Sequence, residues 1–459
     1  MENVLSIAFY YVLIPLAVLG IAVNIHEFGH FMIAKLFGMR VEAYSFFGLG
    51  PRIWGFKRGH TDYRISAIPL GAYVKLYGDE ATAALEGGES QNEQVPEKEL
   101  YELRPRWQKF LVMLGGPFMN LVLALAIPFS MALIQGVPVP TAPVVKSVKT
   151  GGAAESAGIQ VGDRIVSIDG IENPTWQQIE IQAAINPENK IPVTVERSGQ
   201  KVTLEVTPVK RTLSGQTIGD IEADPDLGVM PVVVGNVTPN SGASDAGLTP
   251  GDRLMSLNGV IPRDAQDATD LIQKFKGEPI QLVIARGGEI INVTATVRAL
   301  ENGEMRLGFQ PRPPELPLEP ATLTSAVAFA FDSNIENLRA TATVLGQVFA
   351  GRRSVKDSGI GGPVNIFQQS AQVTQSMGVQ GFFLILGLIS MSLGIFNLLP
   401  IPLLDGGQIL VLGIEKILSW FGKTLSLVAR ERIQLTGLAI VLLLMVTVMF
   451  LDVSRLIGR

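Results

Sequence analysis

The sequence predicts a polytopic α-helical membrane protein with four transmembrane helices, carrying a membrane-associated β-hairpin region and two inserted β-rich units. Three observations predict this. Four apolar stretches, Val4–Ile25, Phe110–Ile134, Val379–Leu404 and Ile433–Leu451, are each long enough to cross about 30 Å of hydrocarbon. The 459 residues are 47% hydrophobic with a mean hydropathy of +0.32, too apolar for an ordinary soluble protein. Between the second and third spans the composition turns soluble, and the chain repeats itself at a shift of 89 residues.

A formal charge of −5 without any long single-sign run argues against a nucleic-acid footprint. The chain has no cysteine, which excludes disulfides, thiolate zinc fingers and a cysteine nucleophile.

Residues 1–37 hold the first span. No Lys, Arg, Asp or Glu lies between Asn3 and His26-Glu27-Phe28-Gly29-His30, which closes the apolar run. A basic n-region and an A-x-A cleavage site are both missing, so the segment is expected to be retained rather than removed as a signal peptide. In a helix, residues four apart share a face about 6 Å apart along the axis. His26 and His30 can therefore offer two imidazole nitrogens to one Zn²⁺, with Glu27 beside it as candidate general base. Three protein ligands and an open position for water make a catalytic zinc site. Only one other histidine exists, His60, so the third ligand is His60 or a carboxylate.

Residues 38–109 form the first loop, and the segment from Lys35 to Lys109 carries eleven Lys and Arg. Four more lie between Lys416 and Arg432. The positive-inside rule places both loops in the cytoplasm and residues 135–378 outside. Within the first loop, Tyr63–Tyr77 is β-rich and broken by Pro69-Leu70-Gly71, read as a hairpin against the membrane beside the zinc. Its edge, around Val74, is the candidate for pairing with an extended substrate. Residues 80–100 are acidic and polar, a linker.

After the second span, 110–136, come two units at 140–231 and 232–312. Ala157-Gly158-Ile159-Gln160-Val161-Gly162-Asp163-Arg164-Ile165 matches Ala246-Gly247-Leu248-Thr249-Pro250-Gly251-Asp252-Arg253-Leu254. Strands are expected at Val144–Val148, Arg164–Ile168, Ile191–Arg197 and Val202–Val206, with a short helix near Trp176–Ile185. The repeated pattern resembles PDZ domains. Leu227-Gly228 and Leu307-Gly308 match the carboxylate-binding loop of such domains, and their position at the end of each unit implies a circularly permuted PDZ. PDZ domains bind extended peptide ends by strand addition; the alternative is a pair of spacers.

Residues 315–377 follow a Pro-rich hinge at 310–314 and suggest helices lying at the outer membrane surface or packing beneath the PDZ pair. The third span, 379–404, ends in Asn397-Leu398-Leu399-Pro400-Ile401-Pro402-Leu403-Leu404-Asp405-Gly406-Gly407. Broken backbone at membrane depth is tolerated only where protein or a water-filled cavity re-satisfies it. Asp405 there is costly unless paired or bound to a cation, whereas His60 sits in an apparent exposed turn; Asp405 is therefore the expected third ligand. Asn397 suits either an interhelix hydrogen bond or substrate backbone. A cytoplasmic loop, 405–432, and a fourth span, 433–452, complete the chain.

The HExxH at the end of the first span, the F-N-x-x-P-x-P-x-L-D-G-G at Phe396–Gly407 and the tandem PDZ units together resemble the site-2 protease family of intramembrane zinc metalloproteases. The resemblance implies zinc on His26, His30 and Asp405, catalytic Glu27, and Asn397 contacting substrate. It matches Gly48 and Gly50 to a family G-x-G element. Gln408 departs from the His often found after the two glycines, without removing an expected ligand. It further implies a multi-pass protein of the bacterial inner membrane, with its active site near the cytoplasmic face and its PDZ pair in the periplasm. The implied substrates are single-span membrane proteins, an anti-sigma factor already trimmed by an upstream site-1 protease and remnant signal peptides. A rival reading is a membrane-anchored PDZ scaffold or chaperone whose metal is structural, which has no need of Glu27.

Overall fold

The computed structural model describes residues 8–68, 71–78, 95–139, 142–213, 216–275, 278–299, 305–312, 317–355, 361–423 and 425–457. Residues 80–94 of the linker expected at 80–100, the break at Pro69-Leu70 and the end of the hinge at 313–314 lie outside them; the rest of that linker is ordered instead, with a 3-10 turn at Glu97–Glu99 and Glu99 bound to Arg40 at 2.8 Å, and the start of the hinge belongs to a strand, Phe309–Pro311. The chain divides into two units. One contains the long helices, four of which among the described residues are long and apolar enough to cross a membrane: Phe9–Leu36, Arg106–Gln135, Val379–Asn397 and Arg432–Phe450.

Helix α1, Ile14–Leu36, follows a π-helical turn at Phe9–Leu13. It starts at Ile14 with Pro15 second, where a missing N–H is tolerated, and stops before Gly38, which takes φ +67° as helix ends favour. Four strands follow: β1 Val41–Phe47, β2 Leu49–Arg58, β3 Thr61–Ile68 and β4 Tyr73–Leu76. The expected hairpin between the segments around 63–68 and 73–77 is not formed. The strand order is β2-β3-β1-β4, with β1 parallel to β3 and antiparallel to β4. Since β1 and β3 run the same way, the chain crosses β1 after the proline break and pairs on its far side. The true hairpin is β2–β3, turning at Gly59-His60 with Gly59 at φ +63°. Strand β2 exposes Ile53 by 68% and Trp54 by 64%, an apolar surface of the kind that meets lipid.

Helix α2, Arg106–Gln135, lies against α1. The repeats occupy the second unit. The first has β5 Val145–Val148, β6 Arg164–Ile168, α3 Trp176–Ile185, β7 Ile191–Arg197, β8 Gln200–Val206 and β9 Ala223–Pro225. The second has β10 Val232–Val237, β11 Arg253–Leu257, α4 Ala265–Lys274, β12 Pro279–Arg286, β13 Glu289–Thr296 and β14 Phe309–Pro311. Their cores obey the same shift: Ile165, Ile168, Val193 and Val195 in one, Leu254, Leu257, Leu282 and Ile284 in the other. In each repeat the closing strand pairs with the opening one, β9 with β5 and β14 with β10. The two candidate loops differ. Gly228 is exposed at φ +75°, whereas Leu307 is in the core and the Gly308 carbonyl takes the Thr238 N–H at 2.8 Å.

Helices α5 Leu323–Phe349, α6 Pro363–Met377, α7 Val379–Asn397, α8 Asp405–Trp420 and α9 Leu427–Ile457 return to the first unit. The third span stops at Asn397, seven residues before the expected Leu404, because Pro400 removes a donor and disfavours helix in the residue before it. Asp405, expected as the start of a loop, begins α8. Asp452 of α9 accepts the Gly362 and Asn365 N–H groups at 3.0 and 3.2 Å, satisfying donors that the first turn of α6 leaves open.

The repeat extends to an ion pair between a buried carboxylate and a partly exposed arginine that the motif alone does not reveal. Arg197 holds Asp163 through two bonds of 2.7 Å and donates to the Gly158 carbonyl; Arg286 does the same to Asp252 and Gly247. The Arg286 guanidinium holds the Asp252 carboxyl below the usual carboxylate range, against the upward push of burial. A carboxyl lowered in the folded state stabilises it above the unfolded value and loses that contribution as pH falls through the folded one. Asp252→Asn is therefore expected to destabilise the second repeat at pH 7 and to flatten its loss of stability in acid. Hydrogen exchange at Leu282 and Ile284 between neutral pH and pH 3 checks this; an unchanged acid slope would contradict it.

Candidate active site

The site is built on the contact between α1 and α2. A Cβ at Gly29 would overlap the Gly115 carbonyl, and one at Gly116 would overlap His30 Nε2. Three glycines thus let two backbones approach as small residues allow between membrane helices, and the space at Gly116 receives the imidazoles. His26 and His30 are buried, and their Nε2 atoms lie 3.2 Å apart. His30 Nδ1 lies 2.7 Å from the Val112 carbonyl of α2. That carbonyl can only accept, so Nδ1 carries the proton and Nε2 keeps its lone pair.

Asp405, at the first position of α8, reaches both rings: Oδ2 is 3.0 Å from His26 Nε2 and Oδ1 3.5 Å from His30 Nε2. Oδ2 is buried and makes no hydrogen bond despite that approach. Glu27 completes the group, with one ligand atom from each of His26, Glu27 and His30 all within 4.8 Å of one another. Its carboxylate accepts the Val74 N–H of β4. On β1, the buried Tyr44 hydroxyl donates to Asn24 Oδ1 at 2.7 Å. Burial and then the Glu27 charge push this phenol above its ordinary value, so it remains a neutral donor.

Two imidazole nitrogens and a buried carboxylate oxygen without a hydrogen bond converge on one point, a donor set of nitrogen and oxygen that fits zinc. Two carboxylates compete to be the third donor. Asp405 faces both rings with an oxygen left unsatisfied, whereas Glu27 is half-buried and held by Val74; the geometry favours Asp405.

The structure thus brings together His26, Glu27, His30, Asp405 and Val74. His60 stays exposed in the β2–β3 turn. Asn397 is the half-buried last residue of α7. Gly48 joins β1 to β2 at φ +92°, donates to the Gly71 carbonyl at 2.8 Å, and has no room for a Cβ between the Ser66 and Ile68 carbonyls. Gly50 is at φ +84°. Backbone geometry accounts for both glycines. The sequence reading missed Gly116, Val112 and Asn120 on α2. Its available signal was Gly115-Gly116-Pro117 followed by an amide in an apolar span.

An HExxH helix and an inward carboxylate within a membrane bundle define a membrane-embedded metallopeptidase. The chain belongs to peptidase family M50, whose model matches residues 14–444, and it is accordingly a zinc metalloprotease. It is 31% identical over 467 residues to the regulator of sigma-E protease RseP of Escherichia coli K12, covering 95% of this chain and 97% of that one. A putative zinc metalloprotease of Neisseria meningitidis is 29% identical with the same coverage of both chains. Among solved structures, the PDZ domain of an SdrC-like protein from Listeria monocytogenes covers 18% of this chain and 86% of its own, at 22% identity and a TM-score of 0.17.

If Gly116 makes room for the rings, Gly116→Ala should weaken zinc binding at least about tenfold, as disturbed ligand orientation does elsewhere. Gly413→Ala, where a Cβ meets nothing within 4 Å, should leave it unchanged. Chelator competition on the purified proteins measures both.

Proposed function

We propose that this chain cleaves the membrane segments of single-span proteins, with zinc held by His26, His30 and Asp405 and with Glu27 as general acid and base. The observation that carries the reading is the convergence of the Asp405 carboxylate on both Nε2 atoms at the end of a membrane helix. Zinc supplies Lewis acidity there, polarising a scissile carbonyl and making water a nucleophile near neutral pH. Glu27 takes the proton from the attacking water and passes it to the leaving amine nitrogen. The Val74 N–H orients that carboxylate.

A helical substrate hides its carbonyls in intrahelical bonds, so it must be extended to react. Strand β4 is the last in its sheet, with only β1 beside it, and its outer edge reaches Glu27 through Val74. An extended substrate adds to that edge by ladder pairing, with Asn397 bonding substrate backbone. The substrate class is an anti-sigma factor already trimmed outside the membrane, in keeping with the sigma-E name of the relatives, and remnant signal peptides. We further propose that the protein resides in the inner membrane with residues 140–312 outside, as two circularly permuted PDZ units. The pairing of each closing strand with its opening strand supports that permutation.

Cleavage of a membrane-spanning model substrate by purified variants tests the reading. Glu27→Gln should retain zinc and lose at least about a hundredfold in rate, the low end for removing a general base. Asp405→Ala should lose zinc and activity together, while His60→Ala keeps both. Turnover by zinc-loaded Glu27→Gln, or zinc lost in His60→Ala and kept in Asp405→Ala, would overturn the site.

The outer units would exclude substrates whose outer domain is still folded. Removing residues 141–314 should then raise cleavage of untrimmed substrate relative to trimmed. An unchanged ratio in a rate comparison would count against that role.

A further inference from the structure

We infer that Asn120 is a positioning residue for His26: its amide oxygen accepts the Nδ1–H of that ring and so leaves Nε2 free toward Asp405. The inference rests on the zinc reading above and adds a residue to it. Asn120 is fully buried on α2, with Nδ2 3.3 Å from His26 Nδ1. Its other neighbour is Ser390 of α7, whose Oγ lies 2.9 Å from the Asn120 backbone oxygen and 3.4 Å from Oδ1.

A hydroxyl has one proton, and the shorter contact takes it. With Nδ2 toward the ring, Oδ1 then faces the lone pairs of Ser390 Oγ and is left without a good donor. His26 must also accept at Nδ1, which moves its own proton to Nε2. That N–H would point at His30 Nε2 and Asp405 and remove the lone pair a metal needs. A half-turn of the amide exchanges its oxygen and nitrogen in nearly the same positions. Oδ1 then accepts from His26 Nδ1–H, Nδ2 donates to Ser390 Oγ, and Ser390 still donates to the Asn120 carbonyl. The Asn120 amide, the Ser390 hydroxyl and His26 Nδ1 are then each matched to a complementary group, as buried polar networks require. His30 has the same arrangement against the Val112 carbonyl. Val112 and Asn120 lie eight residues apart on one helix, so α2 sets the free nitrogen of both rings.

Zinc affinity of the purified full chain, read by chelator competition rather than by activity, tests this. Asn120→Leu should weaken zinc by about 10–100-fold, the range for losing a group that orients a ligand. Asn120→Asp, whose carboxylate oxygen accepts the same bond, should stay within about threefold of wild type. Leu within threefold of wild type overturns the inference, and Asp as weak as Leu overturns the acceptor role. Should Asn120→Leu fail to fold by tryptic pattern, Asn120→Asp decides alone: retention supports the accepting oxygen and loss refutes it. His26→Ala, run alongside, separates the two readings. If it binds zinc as wild type does, the zinc site is wrong and this inference falls with it. If His26→Ala loses zinc while Asn120→Leu keeps it, only the role of Asn120 fails.

Discussion

The close approach of α1 and α2 at Gly29, Gly115 and Gly116 is the constraint on which the site depends. Larger side chains at this contact would hold the helices further apart and fill the space that the rings now occupy. Here a Cβ on any of the three glycines would strike backbone or imidazole, and the reward is the 2.7 Å bond from His30 to Val112. Lipid tails give no hydrophobic push between helices, so fit among small residues and interhelical hydrogen bonds must hold the pair. The contact therefore does two jobs at once, joining the helices and orienting a ligand ring.

Asp405 depends on a second constraint, the broken backbone between α7 and α8. Leu403 takes φ +96°, a region a bulky residue adopts only when its surroundings insist. The surroundings are specific. Cβ atoms at Gly406 and Gly407 would overlap the carbonyls of Leu398 and Ile401, and one at Gly437 of α9 would overlap that of Pro402. The loop is thus clasped by its own glycines and by the fourth span. A carboxylate at this depth costs at least a few kcal/mol, and the partial positive charge at the start of α8 offsets part of that. Two imidazoles facing it supply the rest of its environment.

How much of this was legible in the sequence follows from how local each signal is. His26, Glu27 and His30 were legible because helical spacing alone puts them together, and Asp405 because a charge in a proline-broken span has few explanations. The repeat was legible from Asp163 and Asp252, yet their partners Arg197 and Arg286 were not. Those lie 34 residues away, on strands whose register appears only after folding. The strand pairing is hidden for a related reason. A β-rich segment with a Pro-Leu-Gly break shows that two strands exist, but not whether the second pairs with the first or crosses to another. Asn120 was overlooked because one amide in an apolar helix is usually a packing residue; only Ser390 and His26, from two other helices, give it a direction.

The crossing that defeated the hairpin reading also explains why β4 lies where it does. With β1 between β3 and β4, β4 is left outermost and beside α1. An open edge strand invites unselective pairing. This one has only four residues, and its Val74 N–H is engaged by Glu27. The contact that holds the carboxylate in position therefore engages the edge donor nearest the metal-binding residues, and a strand that adds to this edge pairs through the other outward backbone groups of β4.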